Sequence, residues 1–138
     1  MGCLFCKIVN KTIKAEIVYE DAETLAFLDI HPRAFGHTVI IPKKHAVNIL
    51  KLEDALIGAT FLTVKRVSAI LNTALNSDGF TIGINHGRIS GQVVDHLHIH
   101  VIPRFLNDGG TSIQSVVNNP PQESLTEIAI KIKTIKSV

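Results

Sequence analysis

The chain has 138 residues, of which 46% are hydrophobic and 19% are charged, and its formal net charge at pH 7 is +2. This composition indicates a globular protein and not a disordered one, and the small, dispersed charge argues against a groove that binds nucleic acid. Because no apolar run reaches the about 18 residues of a membrane span and no secretory signal opens the sequence, we expect one cytoplasmic domain, residues 1–138, with neither nucleic acid polymer nor membrane as a partner.

The first third of the chain predicts a short helix and three strands. Residues 5–11 suit a short helix, and residues 16–21 and 24–30 alternate as the two strands of a hairpin. A third strand falls in residues 36–45 and ends at Pro42, because proline cannot continue a central strand.

One long helix follows, and two more strands come after it. Apolar residues recur at helical spacing from Leu52 to about Asn76, and Gly79 suits a left-handed cap position behind them. Residues 80–85 and 95–103 are typical of strands four and five. Because no alternation of strands and helices indicates a parallel sheet, we predict an α+β fold with an antiparallel meander sheet of about five strands.

The C-terminal part forms a loop and a tail outside the expected core of about 3–105. Residues 107–122 are rich in Asn, Gly, Ser and Pro and indicate a flexible loop within the segment 106–138. Apolar residues in the tail recur at helical spacing, although some also alternate as in a strand, and we favour a helix. The residues concerned are Leu125, Ile128, Ile130, Ile132 and Ile135.

Three histidines occupy alternate positions in the stretch DHLHIHVIPR, namely His96, His98 and His100. Side chains of a strand alternate between its faces, so the three imidazoles should share one face, with neighbours about 6–7 Å apart. A lone histidine is often structural, but three on one face indicate one site. A single catalytic metal ion bound by all three is disfavoured, because they span about 13 Å of strand.

The loop before these histidines, NHGRISGQVV, contains Gly87 and Gly91. Glycine lets the backbone approach a ligand and present its N–H groups, which is how small loops bind phosphate. An ordinary hairpin loop would use the same residues. Its position directly before the histidines favours an anion site beside an imidazole nucleophile.

These motifs together resemble the histidine-triad (HIT) superfamily of nucleotide hydrolases and transferases, and within it the Hint-type branch with an N-terminal C-x-x-C. The strand has the pattern His-x-His-x-His-x-x with apolar residues at every x, and the blocks LAFLDI, GHTVIIPKKH, GINHG and SGQ occur in the order of that branch. The resemblance implies a homodimer that joins the sheets of two subunits. It also implies a purine nucleotide such as AMP beside the triad and a reaction that needs no cofactor.

The resemblance further implies a role for each matching residue. His98 would attack the α-phosphorus and form a nucleotidyl-histidine intermediate that water resolves, while His100 would hydrogen-bond the phosphoryl oxygens. The aromatic and aliphatic members of the nucleotide site would wall the base, the aspartate would bind the ribose, and the rest would surround the phosphate. The implied nucleotide-binding residues are Phe5, Phe27, Asp29, Ile30, Asn85, Gly91, Gln92, Val93, His98 and His100.

Val93 departs from the family pattern, in which a Ser or Thr often follows the Gly-Gln pair. The missing hydroxyl leaves the chemistry of the leaving group open. Neither the residue pattern nor the resemblance gives a role to His31, His37 or His86, which we expect to be surface or loop residues.

The two cysteines, Cys3 and Cys6, form a C-x-x-C pair, which in a reducing compartment indicates metal binding or redox chemistry. The resemblance adds His45 and His96 as the remaining ligands of a structural Zn²⁺ site with four protein ligands. The alternatives are a thioredoxin-like redox pair and two free thiols, and neither gives His45 a role.

The function that the resemblance favours is a purine nucleoside phosphoramidase, which cuts a P–N bond and releases AMP. The same triad would serve a Fhit-like hydrolase that cuts the P–O–P bond of a dinucleoside polyphosphate. A nucleotide-binding regulator with little catalysis is a further alternative. A metalloenzyme would differ from all three in losing its activity upon chelation.

Overall fold

The computed structural model describes residues 2–135. In chain order the elements are helix α1 (Leu4–Val9), strands β1 (Ile17–Glu20), β2 (Thr24–Leu28) and β3 (Thr38–Pro42), helix α2 (Asp54–Leu75), strands β4 (Gly79–Gly83) and β5 (Ile99–Arg104), and helix α3 (Leu125–Lys133). The strands form one sheet in the order β1-β2-β3-β5-β4, and every neighbouring pair is antiparallel. The predicted α+β fold is confirmed.

Helix α2 carries the chain across one face of the sheet, from β3 to the edge strand β4. Its buried residues Val64, Val67 and Leu71 lie on one side of the helix, as their spacing predicts. They pack against the sheet residues Ala26, Ile40, Ile99 and Val101 to form the main core. Burying a side chain of this size contributes about 1.5–3 kcal/mol to folding, so this layer fixes the sheet that carries the histidines.

Helix α1 covers the opposite face of the sheet at β2 and β3. Phe5 and Ile8 are buried there against Leu25, Phe27, Val39 and Ile41. Strands β2 and β3 are therefore buried on both faces, which explains their nearly continuous apolar sequences. The N-terminus is held against the face to which the histidines point.

Strand β5 begins later than the alternating sequence predicts, at Ile99 instead of Asp95. Ile99 pairs with Ile40 of β3, and the N–H of Leu97 donates instead to the carbonyl of Ala46 at 2.6 Å. The ladder ends here because β3 stops at Pro42, whose nitrogen has no hydrogen to donate.

The left-handed cap of α2 is also displaced from its predicted position. Asn76 adopts it, with φ of 52°, and its N–H donates to the carbonyl of Asn72 at 3.0 Å. Gly79 is instead the first residue of β4. Asparagine tolerates this backbone region better than most residues, so the prediction for Gly79 was wrong by three positions.

The predicted C-terminal helix is present as α3, and a capping box formed by Ser124 and Glu127 starts it. None of its side chains is buried, and Ile130 and Ile132 are 60% and 66% exposed. The preceding loop contains a single turn of 3₁₀ helix at Ile113–Val116. Among residues 2–135, no helix combines the length and the apolar character needed to cross a bilayer.

Candidate active site and metal centre

His98 is buried, with 7% of its surface exposed, and its ring is held in one orientation. Nδ1 lies 2.7 Å from the carbonyl oxygen of His96, and because a carbonyl only accepts, Nδ1 carries the proton. The rings of Phe5 and His100 pack edge-on against it, with centroids 5.2 and 5.1 Å away. With a proton on Nδ1, Nε2 is the ring nitrogen of His98 whose lone pair could serve as a nucleophile.

His100, the neighbour of His98 in the triad, is held neutral. Burial, followed by the positive charges that His98 and His37 can carry, lowers the pKa of His100 to about 4. Its Nδ1 lies 2.9 Å from Nε2 of His37. At neutral pH the His100 ring can thus give one hydrogen bond and accept another.

The loop between β4 and β5 that contains Gly87 and Gly91 is held in place by hydrogen bonds of the Gln92 side chain. This buried side chain accepts from the N–H of Gly87 at 2.8 Å and donates to the carbonyl of Val47 at 2.7 Å. Gly87 and Gly91 have φ of 82° and 99°, which are left-handed values that favour glycine. Asn85 lies beside Gly91, within 4 Å of where a Cβ would stand. The amide of Gln92 therefore shapes the loop that faces the histidines.

Two of the expected base-binding residues lie together, and the third is at the surface. Phe5 and Phe27 are buried and pack edge-on, with ring centroids 5.4 Å apart. Ile30 is 83% exposed and Val93 is 80% exposed, so neither is part of the core. An apolar wall therefore lies directly beside His98, with exposed apolar side chains on the loops around it.

Asp29 lies at the His100 end of the site. Its Oδ2 is 3.5 Å from Nε2 of His37 and 3.8 Å from Nδ1 of His100, and its Oδ1 accepts the N–H of His31 at 2.8 Å. The carboxylate is therefore fixed by the turn that follows β2 and points one oxygen at two imidazoles.

From the sequence we did not assign His37 to this site and expected it to be a surface or loop residue. His37 lies in the loop before β3, but it is buried, with 4% of its surface exposed. It stands just before β3, opposite Asp29 in the β2–β3 hairpin, and two residues from Val39, which pairs with His100. Its same-face relation to Val39 was the available signal. His31 and His86 are exposed, as expected.

The four predicted metal ligands converge at the other end of the triad. Nδ1 of His96 lies 3.3 Å from Sγ of Cys3, 3.6 Å from Sγ of Cys6 and 3.3 Å from Nδ1 of His45. Cys6 Sγ is 3.4 Å from Nδ1 of His45. A tetrahedral zinc ion with the usual bonds to sulfur and nitrogen would separate its ligand atoms by about 3.3–3.8 Å, so this donor set fits the ion.

The protonation of these ligands also suits a cation. Nε2 of His96 donates to the carbonyl oxygen of Pro42 at 2.8 Å, which leaves the lone pair of Nδ1 facing the two sulfurs. Burial, and then the neighbouring Cys3, raises the pKa of the Cys6 thiol in the protein without metal. A divalent cation would reverse this effect, because it stabilises both thiolates.

A cavity of about 690 Å³ opens beyond His100, between the β4–β5 hairpin and the C-terminal loop. Its polar and charged lining residues are Arg33, His37, Thr81, Asn85, Ser90 and His100, and the rest of the lining is largely aliphatic. The aliphatic residues are Ile84, Ile89, Ile102, Ile113, Val116 and Val117. The volume is in the range of small-molecule sites, so the cavity has room for a small organic group next to His37 and His100.

Fold and site together define a protein with a fixed imidazole at His98, a glycine loop near it and a cluster of Cys3, Cys6, His45 and His96 at the other end of the triad. The chain belongs to the HIT family: the model of the HIT domain matches residues 10–107. The resemblance seen in the sequence is thereby confirmed.

Relatives and solved structures agree with this assignment. An uncharacterized HIT-like protein of Methanocaldococcus jannaschii is 46% identical over 78% of this chain and 82% of its own length. An adenosine 5'-monophosphoramidase of Schizosaccharomyces pombe is 40% identical over 82% of both chains. The crystal structure of a HIT family member from Bacillus subtilis superimposes with a TM-score of 0.88 at 32% identity, over 100% of this chain and 99% of that one.

Proposed function

We propose that this protein is a nucleotide hydrolase that releases AMP from purine nucleoside phosphoramidates by cutting the P–N bond. The observation that carries the proposal is the fixed tautomer of His98, whose Nδ1–H bond to the His96 carbonyl leaves a nucleophilic Nε2. The relatives from Schizosaccharomyces pombe and Candida albicans that are named adenosine 5'-monophosphoramidases, 40% and 38% identical to this chain, support the choice of reaction.

The reaction would proceed in two displacements at phosphorus. Nε2 of His98 forms a bond to the α-phosphorus while the P–N bond breaks, and the nitrogen takes up a proton and leaves as an amine. Water then attacks the nucleotidyl-histidine, which releases AMP and restores the imidazole. Because Val93 has no hydroxyl, we assign the proton of the leaving amine to solvent.

The surrounding residues would bind the nucleotide and stabilise its charge. His100 and the backbone of the loop at Gly91 would donate hydrogen bonds to the phosphoryl oxygens, where charge increases in the transition state. Gln92 acts by holding this loop in place. Asn85 adds a further donor next to the phosphate.

The base would lie against Phe5 of α1, and the ribose would lie toward Asp29 at the His100 end of the triad. Phe5 and Phe27 supply an aromatic wall for a purine, and Ile30 closes it from the surface side. Asp29 supplies acceptors for the ribose hydroxyls.

We also propose that Cys3, Cys6, His45 and His96 hold a structural Zn²⁺. Bound there, the ion would link α1 to β3 and to the segment before β5. Four protein ligands leave no open position, so each chemical step belongs to the imidazoles and not to the metal. The two thiol ligands require a reducing compartment, which supports a cytoplasmic location.

The cavity next to His100 favours an amine leaving group over a polyphosphate. The wall farthest from the triad in sequence, Ile113, Val116 and Val117, is aliphatic, and Arg33 is the one fixed cation among the described residues that line the cavity, so the several charges of a polyphosphate would be incompletely paired there. An amine with an apolar body fits it without that penalty. A dinucleoside polyphosphate hydrolase is therefore the second candidate.

The test is to measure AMP release from adenosine 5′-phosphoramidate and from diadenosine tetraphosphate, for the native protein and for His98→Ala, with and without a chelator. We expect faster turnover of the phosphoramidate, its loss in the variant, and its survival in chelator. Native activity in His98→Ala would refute the histidine nucleophile. AMP binding without turnover by the native protein would replace the hydrolase with a nucleotide-binding regulator.

A further inference from the structure

We propose that His37 is a positioning residue that fixes the tautomer of His100, so that Nε2–H of His100 faces the phosphoryl group. The inference rests on the proposed function for its catalytic consequence. Its structural part, a chain of hydrogen bonds through the buried imidazole of His37 and the half-buried imidazole of His100, stands on geometry.

The chain starts at a backbone group that can only donate. The N–H of Arg33 lies 3.1 Å from Nδ1 of His37, so this nitrogen carries no proton. Burial keeps His37 neutral by lowering its pKa, against the opposing influence of Asp29. The single proton of the neutral ring must therefore be on Nε2.

The position of the proton on His37 determines which nitrogen of His100 carries a proton. Nε2 of His37 lies 2.9 Å from Nδ1 of His100, while the carboxylate of Asp29 is 3.5 Å away, so His100 is the nearer acceptor. Because Nδ1 of His100 accepts this bond, the neutral ring carries its proton on Nε2. That is the nitrogen opposite His37 on the ring, and it is the one left for a ligand.

Without His37, Asp29 would select the other tautomer. Its Oδ2 lies 3.8 Å from Nδ1 of His100, close enough for a small rotation to give an N–H···O⁻ bond. The proton would then be on Nδ1, and the lone pair of Nε2 would face a phosphoryl oxygen. Two acceptors would oppose each other where the reaction needs a donor.

The same three side chains have the spacing of a metal site, with separations of 2.9, 3.5 and 3.8 Å between their ligand atoms. The hydrogen bond from Arg33 decides against this alternative. A metal ion on Nε2 of His37 would displace its proton, while Nδ1 already accepts an N–H, so the ring would have to be an imidazolate. A neutral His37 that carries its proton on Nε2 satisfies both contacts, since Nδ1 accepts from the N–H of Arg33 and Nε2 donates to Nδ1 of His100.

The experiment compares His37→Leu, which has no donor, with His37→Gln, whose amide N–H can replace the imidazole donor. Tautomers are determined from ¹⁵N chemical shifts and long-range ¹H–¹⁵N couplings of histidine-labelled protein, and kcat and KM are measured on adenosine 5′-phosphoramidate. We expect Nε2–H on His100 in the native protein and in His37→Gln, and Nδ1–H in His37→Leu. The exposed His31→Leu is the matched control and should change neither the tautomer nor the rate.

Loss of one transition-state donor lowers kcat by about 10²–10³-fold. We therefore expect the kcat of His37→Leu to be lower by this factor, with KM little changed. His37→Gln should recover much of the lost kcat. A native His100 with Nδ1–H would overturn the proposal, as would unchanged kcat in His37→Leu. If His37→Leu does not fold, a His37→Gln variant with the Nδ1–H tautomer would refute it equally. If the native protein turns over no phosphoramidate, the proposed function fails while the spectra still test the tautomer.

Discussion

At the scale of single residues, the neutrality of His100 makes the stability of the protein depend on pH. Its pKa is about 4 in the folded chain, because of burial and neighbouring imidazoles, against about 6.5 in an unfolded one. Between these values the unfolded state binds a proton that the folded state does not. Stability therefore decreases as pH falls from about 6.5 to 4.

We expect His100→Phe to reduce this dependence by up to about 3 kcal/mol at pH 4, which is the free energy that corresponds to the pKa shift. Urea unfolding of the native protein and the variant at several pH values measures the difference. The exposed His31→Phe serves as control and should keep the native slope. A variant with the native pH dependence would show that His100 is not the group responsible.

Val93 offers a second prediction at this scale, because its side chain is 80% exposed at the edge of the site. Val93→Ser should change stability by less than about 0.5 kcal/mol, as is usual for an exposed position. It should raise kcat for phosphoramidates with poor leaving amines, because the hydroxyl can supply a proton that solvent otherwise provides. Rates for a series of amines of increasing pKa test this, and an equal change for all of them would contradict it.

At the scale of elements, helix α1 connects the proposed zinc site with the proposed nucleotide site. Cys3 caps the helix, with its Sγ accepting the N–H of Cys6 at 3.4 Å, and Phe5 between them packs on His98. The six residues of α1 are too few to form a stable helix alone. The position of Phe5 therefore depends on the ligands at either side of it.

We expect Cys6→Ser to remove the metal, lower the melting temperature and raise KM for the nucleotide more than it lowers kcat. The reason is that a loosened Phe5 weakens the base wall, while His98 keeps its bond to the His96 carbonyl. Metal analysis should find about one zinc per native chain and none in the variant. Lys7→Ser, on the same helix but outside the cluster, is the control. Retained zinc in Cys6→Ser would contradict the ligand assignment.

At the scale of the whole molecule, β4 is an edge strand, and no other strand among residues 2–135 covers its outer side. An exposed edge offers unpaired backbone groups to another chain. Ile82 on this strand and the exposed Leu62 and Ile70 of α2 add apolar surface. The sheet has a second edge at β1, but this apolar surface lies beside β4, and we therefore propose that the homodimer implied by the family resemblance joins the sheets of two copies at β4.

Ile82→Asp should convert a particle of about 30 kDa, twice the 15.1 kDa chain, into monomers, because it would place an unpaired carboxylate from each copy in the joined edge. Ile130→Asp, at a 60% exposed position of α3, is the matched control and should leave the mass unchanged. Sedimentation equilibrium measures both. Dissociation by the control alone would assign the interface to α3.

The sequence predicts those features of the molecule that local spacing decides. The β1–β2 hairpin, helix α2 and the shared face of the triad follow from periodicity, and the clustering of Cys3, Cys6, His45 and His96 follows from the family pattern. The start of β5 depends on the absence of an N–H at Pro42, which precedes it by more than fifty residues. His37 is equally a product of distant contacts, since its partner His100 is 63 residues away.

The cavity beside His100 has a further consequence, because its two sides come from different parts of the chain. The histidines and the glycine loop lie within the segment that matches the HIT domain, while Ile113, Val116 and Val117 lie beyond its end at residue 107. Arg104 and Asp108 pair at that junction and hold the later segment against the sheet. If the proposed function is right, the triad and the residues that select the leaving group lie in different parts of the chain, so substitutions in residues 113–117 should change the preference among amines without changing the triad.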